Sequence, residues 1–300
     1  MSRLPAPIRR HPVLAFLAFY LAGAVVFGVI WGVKGHKNES FQVIDSFHLE
    51  TWFKIGPIAF NKGVLYLLIA AFLTVCLLIW VANHMQRKPG RTQVAVEWMY
   101  DLMLRTTRDT MDEQMTSKWF PVVFTLFLFI LVTNLIGYIP LPINSGQKFD
   151  LFGAHIPAFQ IYAADTNVAV PLLLSLGVFI AYNSLGIRRQ GFIGYLKSLI
   201  PSGVRGGMLL IIFPLEIVSN FLRLLSLTIR LWANLLAGHL LIEFMAGDLA
   251  VLLGLQLLGW ITLPLGVVIF LFEAVLIAGL QAFIFAILTA IYIGGAVQRH

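Results

Sequence analysis

Residues 208–246 read MLLIIFPLEIVSNFLRLLSLTIRLWANLLAGHLLIEFMA, a stretch in which apolar side chains dominate from end to end. At ~1.5 Å of rise per residue it makes a helix of ~58 Å, nearly twice the ~30 Å hydrocarbon core of a bilayer. A helix of that length tilts strongly, lies partly in the interface, or breaks. Its few polar residues share a side. At ~100° per residue, Glu216, Ser219, Arg223, Ser226 and Asn234 all fall within ~40° of Arg230. Charge at membrane depth is costly unless it reaches water or a partner, so this face lines an aqueous path or meets a polar neighbour. Past Arg230 the polarity changes sides, with His239 near ~180° and Glu243 near ~−140°. Two polar tracks therefore run on opposite faces, with the arginine where the first nears its end.

The rest of the chain agrees with a membrane setting. Of 300 residues, 59% are hydrophobic and only 12% charged, with a mean hydropathy of +0.87. Soluble domains carry ~25% charged residues. The composition excludes a soluble enzyme, a disordered chain and a nucleic-acid binder, despite the formal +7. With Cys76 the only cysteine, neither a disulfide framework nor a cysteine-based metal site can form within one chain.

Apolar runs long enough to span occur at 13–33, 63–85, 119–141 and 167–186, followed by 208–246 and 261–297. Without β-alternation they predict about five to six membrane helices, an all-α integral membrane protein rather than a barrel. Placing the N-terminus in the cytoplasm puts fourteen Lys and Arg inside and five outside, the asymmetry of the positive-inside rule. Arg223 and Arg230 remain within the apolar stretch. Residues 92–115 mix charge with apolar positions and predict a cytoplasmic interfacial amphipathic helix; 190–205 do so more weakly. Segments 34–62 and 142–166 read as external loops. Asp165, just before the fourth span, either caps that helix or belongs to a water pathway. Residues 1–33 form an extra membrane helix or a signal-like segment. The apolar run is longer than a typical signal core, which favours a retained helix, with both chain termini then cytoplasmic.

The last apolar run supplies polar partners, Glu273 and Gln281. In an antiparallel hairpin centred on residue 256, His239 lies level with Glu273 and Arg230 beside Gln281. Gly254, Gln256 and Gly259 fall at that turn; Gly247-Asp248 offers a competing break.

SLTIRLWANLLAGHLL (Ser226–Leu241) resembles the arginine-bearing helix of subunit a of the membrane (Fo) sector of F-type rotary ATP synthases. LQAFIFAILTAIYI (Leu280–Ile293) resembles that family's final helix, and TNLIGYIP around Asn134 and ADTNVAV around Asp165 match it too. The resemblance covers roughly residues 63–297, and 63–300 would form the family's membrane domain. It implies a proton-channel stator subunit packed against a rotating c-ring, with two offset half-channels. Arg230 would face the ring carboxylate and prevent a proton short-circuit, with Asn234 and Gln281 positioning it. His239 and Glu273 would relay protons in the outer half-channel, with His on the arginine helix as in mitochondrial rather than enteric-type members. Glu216, Ser219 and Ser226 would line the cytoplasmic half-channel; Asn134, Asp165 and Glu243 are further channel or cap candidates. One departure stands out. Glu273 precedes Gln281 by eight residues where the family pattern has seven, a rotation of ~100° unless the helix is locally irregular.

The resemblance further implies c-ring, peripheral-stalk b subunits and, indirectly, the F1 sector as partners, in a bacterial inner membrane. No cofactor and no metal are expected. The chain has no P-loop, so nucleotide chemistry would belong to partner subunits. His239 and Glu273 favour H⁺ over Na⁺. A secondary transporter binding an anionic substrate at Arg230 is the rival function, although the internal repeat that such folds carry is missing. A membrane-embedded transferase would need a catalytic cluster that the sequence lacks.

Overall fold

A backbone in lipid must satisfy its own hydrogen bonds, which makes the apolar runs helical. The computed structural model describes residues 20, 22, 23, 26, 51–55, 58–86, 88–151, 154–200, 208–245 and 256–297. Among these are five helices long and apolar enough to cross a membrane: Lys62–Asn83, Glu113–Gly137, Ala169–Gln190, Leu209–Glu243 and Thr262–Val297. The expected span at 13–33 lies outside the described residues, apart from helical Tyr20, Ala22, Gly23 and Val26. The chain divides into two compact units, one of Leu49–Leu236 with Ala274–His300, the other of Met1–His48 with Ala237–Glu273.

In the larger unit, β1 (Thr51–Ile55) and β2 (Ile58–Asn61) pair antiparallel. Helix α1 (Lys62–Asn83) starts where the Asn61 side-chain oxygen accepts from Val64 N at 3.0 Å, satisfying one of the unpaired N–H groups of the first turn. Helix α2 (Arg91–Arg108) is the amphipathic element. Met103 and Thr107 are buried, Val94, Trp98 and Tyr100 are exposed, and Arg105 pairs with Asp101 at 2.5 Å. It ends at Arg108, short of the expected residue 115, and after the extended backbone at Asp112 a new helix begins. That helix, α3 (Glu113–Gly137), therefore begins before its apolar run.

The segment expected as a loop at 142–166 instead carries a hairpin of β3 (Leu141–Leu151) and β4 (Ala154–Gln160), as 34–62 carries β1 and β2. Backbone groups outside the helices find their partners across these strands. A 3₁₀ turn (Ala164–Thr166) leads into α4 (Ala169–Gln190). Gly191, at φ +72°, turns the chain into α5 (Phe192–Ser198), a backbone conformation glycine adopts without steric cost. Helix α6 (Leu209–Glu243) follows, its residues through Leu236 lying in this unit, and α8 (Ala278–Val297) closes the unit.

Helix α3 is the centre of this unit, packed by α8, α1 and α2. Ala278, Ala282, Ala286, Ala290 and Gly294 recur every fourth residue on α8 and are all buried. Small residues let membrane helices approach closely. A Cβ on Gly294 would stand 2.5 Å from the Thr110 carbonyl oxygen. A single core joins Phe120, Leu128 and Ile130 to Leu227, Leu231 and Leu235 and to Phe285 and Ile293.

The smaller unit holds α7 (Gln256–Phe272) and Glu273, the first residue of a π-helical turn, Glu273–Ile277. Gln256 and Gly259 are therefore helical rather than part of the expected turn, while Gly247, Asp248 and Gly254 lie outside the described residues.

Candidate functional site

Helix α6 turns its leucine stripe inward, so its polar stripe faces out. Leu224, Leu227, Leu231 and Leu235 are buried, whereas Arg223, Ser226, Arg230 and Asn234 are exposed, and Glu216 and Ser219 half-buried. Arg230 sits on an outward surface shared with exposed Leu222 and Ile229. It has no ion-pair or hydrogen-bond partner among the described residues. Asn234, one turn further, donates from Nδ2 to Gln281 Oε1 at 3.0 Å, and Gln281 is buried on α8. Gln281 thus pairs with the residue one turn beyond Arg230.

The opposite face of α6 is bolted in place by residues that the sequence pattern does not single out. Thr228 Oγ1 and Ser175 Oγ share a hydrogen bond of 2.5 Å, and Trp232 Nε1 donates to the Thr166 carbonyl at 2.9 Å. The signal for both lay in their position about half a turn from Arg230, where polar-capable side chains meet α4 and its leading turn.

Asp165 is fully buried within the 3₁₀ turn, and neither carboxyl oxygen has a hydrogen-bond partner among the described residues. It does not cap α4. The adjacent Asn167 does the local work, its Oδ1 accepting from Ala169 N at 3.0 Å. Burial pushes the Asp165 carboxyl up to about 7, so its proton is exchangeable near neutrality. Close by in sequence, Tyr162 is also buried, with the Lys62 ammonium 4.7 Å from its ring centre and Tyr66 packed at 5.7 Å. Asn134 on α3 donates to the Ala278 carbonyl at 3.2 Å, leaving its own Oδ1 buried and unsatisfied. One turn after it, Gly137 meets Ala163, and a Cβ there would stand 2.6 Å from Ala163 Cβ. Buried oxygens left without partners are sites that water satisfies when there is room.

A second polar network joins α4, α5 and α6. Asn183 Oδ1 accepts from Tyr195 at 2.7 Å and from Asn220 Nδ2 at 3.0 Å, while Tyr182 donates to Asn220 Oδ1 at 2.7 Å. Arg223 lies 5.6 Å over the Tyr292 ring, a cation–π contact. Arg223 thus has an aromatic seat on α8, which Arg230 lacks.

In the smaller unit, His239 and Glu273 are both buried, and Glu243 is half-buried. The Glu273 carboxyl packs directly on Gly238, occupying the space where a Cβ on that residue would stand. The acidic group therefore rests beside the backbone that carries His239. Among the described residues, no group of three or more His, Cys, Asp or Glu is placed to hold a metal ion.

The family described as ATP synthase A chain matches residues 64–294. An ATP synthase subunit a of Bradyrhizobium diazoefficiens is 35% identical over 264 residues, covering 85% of this chain and 97% of the relative. One from Acidiphilium cryptum is 33% identical over 274 residues, covering 88% and 99%. Another, from Rubrobacter xylanophilus, is 34% identical over 241 residues, covering 79% and 83%. An arginine helix braced by α4 and α8, in a chain that aligns with these relatives over nearly their full length, places this protein in the ATP synthase subunit a family.

Proposed function

We propose that this chain is the proton-conducting stator subunit of the Fo sector, with Arg230 facing a carboxylate on a rotating c-ring. The observation that carries this reading is the exposed Arg230 guanidinium, without a partner among the described residues, on the outward apolar face of a membrane helix. A charge so placed needs an anion from another molecule. A carboxylic acid surrounded by lipid is most stable protonated. Brought beside Arg230 it gains from ionising, releases its proton to one water path, and is reprotonated from the other as it leaves. The arginine blocks direct passage because a second cation, the proton, gains nothing from entering its field. The membrane potential supplies ~2.3 kcal/mol per charge per 100 mV, and rotation follows because the two paths open on different ring positions.

Glu216, Ser219 and Ser226 line the path that opens on the basic, cytoplasmic side, to which the positive-inside rule assigns α2 and α5. His239 and Glu273 relay protons on the other side, with Asn134, Asp165 and Glu243 along that route. Asn234 and Gln281, hydrogen-bonded to each other, hold the surface next to Arg230. Residues 63–300 form the working membrane domain; 34–62 connect it to a retained membrane helix at 1–33, with both termini cytoplasmic. Peripheral-stalk b subunits anchor the chain in the bacterial inner membrane, and ATP chemistry belongs to the F1 sector.

Arg230→Ala in the assembled complex tests this directly. ATP-driven proton pumping into inverted vesicles should vanish, while passive leak through the sector persists or rises. Pumping at the unmodified rate would sink the ring-facing role.

A further inference from the structure

Helix α6 carries two arginines on its outward stripe, Arg223 and Arg230, seven residues apart and so within ~20° of each other. A carboxylate passing that face would be drawn to either. The structure treats them differently. The Arg223 guanidinium lies 5.6 Å over the ring of Tyr292 on α8, whereas Arg230 has no ion-pair or hydrogen-bond partner among the described residues.

The aromatic seat belongs to the way α6 meets α8. Arg223 reaches Tyr292, and Asn234 reaches Gln281. On each helix the two positions are eleven residues apart, about three turns, which returns both helices to the same face. One antiparallel register therefore makes both contacts. Arg230 falls between them, level with Phe285, a core residue with no polar group to offer. The seat is itself held in place. Tyr292 packs on the Tyr182 ring at 5.8 Å. Tyr182 donates to Asn220 Oδ1, and Asn183 Oδ1 accepts from both Asn220 and Tyr195. Side chains of α4, α5 and α6 thus fix the ring over which Arg223 lies.

We infer that Tyr292 is a positioning residue: it holds the Arg223 guanidinium on α8, so that of the two arginines on this stripe only Arg230 is free to attract an anion from outside the chain. The consequence for transport rests on the ring-facing reading of Arg230; the seat itself does not. Released from Tyr292, Arg223 would reach along the stripe toward the same carboxylate. A second positive charge ~10 Å away, at an effective dielectric of ~20, favours the ionised form by roughly tenfold. The ring acid would then stay ionised past its release point, and reprotonation would slow.

Cross-linking tests the seat apart from proton chemistry. In full complexes carrying Cys76→Ser, Arg223→Cys and Tyr292→Cys, a short thiol-bridging reagent should link α6 to α8. Arg230→Cys in place of Arg223→Cys should give no link. Pumping into inverted vesicles, normalised to assembled complex, tests the role. Tyr292→Leu should lower it by about five- to tenfold, and Tyr292→Phe, which keeps the ring face, should stay within about twofold of the unmodified rate. Adding Arg223→Gln to Tyr292→Leu should restore pumping, a rescue that a merely structural defect would not show. No link in an assembled complex, full pumping by Tyr292→Leu, or no rescue in the double variant would each overturn the inference. Full pumping by Arg230→Ala would instead sink the ring-facing reading and leave the cross-link standing.

Discussion

Replacing Gly238 by alanine probes the contact on which the proposed outer proton path depends. The added Cβ would stand on the Glu273 carboxyl, with Oε1 2.5 Å away, whereas ordinary van der Waals contact begins near 3.4 Å. The carboxyl must therefore withdraw by about 1 Å, and a misplacement of that size costs up to ~10²-fold in a geometry-dependent step. Because the group displaced is the end of a flexible side chain, the folding penalty lies at the lower end of the ~1–3 kcal/mol typical of overpacking, and the complex should assemble. We expect Gly238→Ala to lower ATP-driven pumping and passive proton flux together by about 10- to 100-fold. Quenching of a pH-sensitive dye in inverted vesicles, normalised to the amount of assembled complex, reads both. Adding Glu273→Asp shortens the acid by one methylene, about 1 Å of reach, and should recover part of the flux. Unaltered flux in Gly238→Ala, or no recovery in the double variant, would refute the placement of the carboxyl against that glycine.

Asp165 makes a pH-dependent prediction. A carboxyl moved by burial from its ordinary 3.8 to about 7 keeps its proton in the folded chain across a range where the unfolded chain sheds it. Stability from this group is thus full below pH ~4, falls as pH rises through that window, and is lost above ~7, a difference of about 4 kcal/mol. Asp165→Asn should raise the melting temperature of the complex at pH 8 while changing it little at pH 4; equal shifts at both pH values would contradict the buried, unpartnered placement. On α8, Ala286→Leu forces a branched side chain into the closely packed seam with α3 at a cost of about 1–3 kcal/mol, and should reduce the subunit recovered in membranes; wild-type levels would show that the seam is looser than described.

The helices were legible because twenty-residue apolar runs leave a membrane chain few alternatives. The hairpins at 51–61 and 141–160 were not, since Pro142 and Pro157 and several small residues break the alternation that announces a strand. Arg230 was conspicuous from its apolar neighbours alone. Thr228 and Trp232, which pin the same helix to α4 and its leading turn, sit on the side where a threonine or tryptophan reads as ordinary apolar packing. For Asp165 the sequence offered two roles, cap or water pathway, and only the backbone shows that the neighbouring Asn167 is the one that reaches an N–H. The π turn at Glu273–Ile277 left no such mark in the residues, and only the coordinates show it.

The alanine and glycine seam of α8 also bears on force transmission. On the α8 side much of this joint is made through methyl groups and backbone, which have no rotamers to switch, so its compliance is close to that of the helices themselves. Gln281 and Asn234 couple the outward face of α6 to α8, and α8 rests on α3 through this seam. Sideways load applied at Arg230 is thereby passed to the most deeply enclosed helix of the larger unit. In the proposed stator role, a part held still while a rotor turns against it has to return the torque without yielding, and side chains too small to bend contribute to that stiffness.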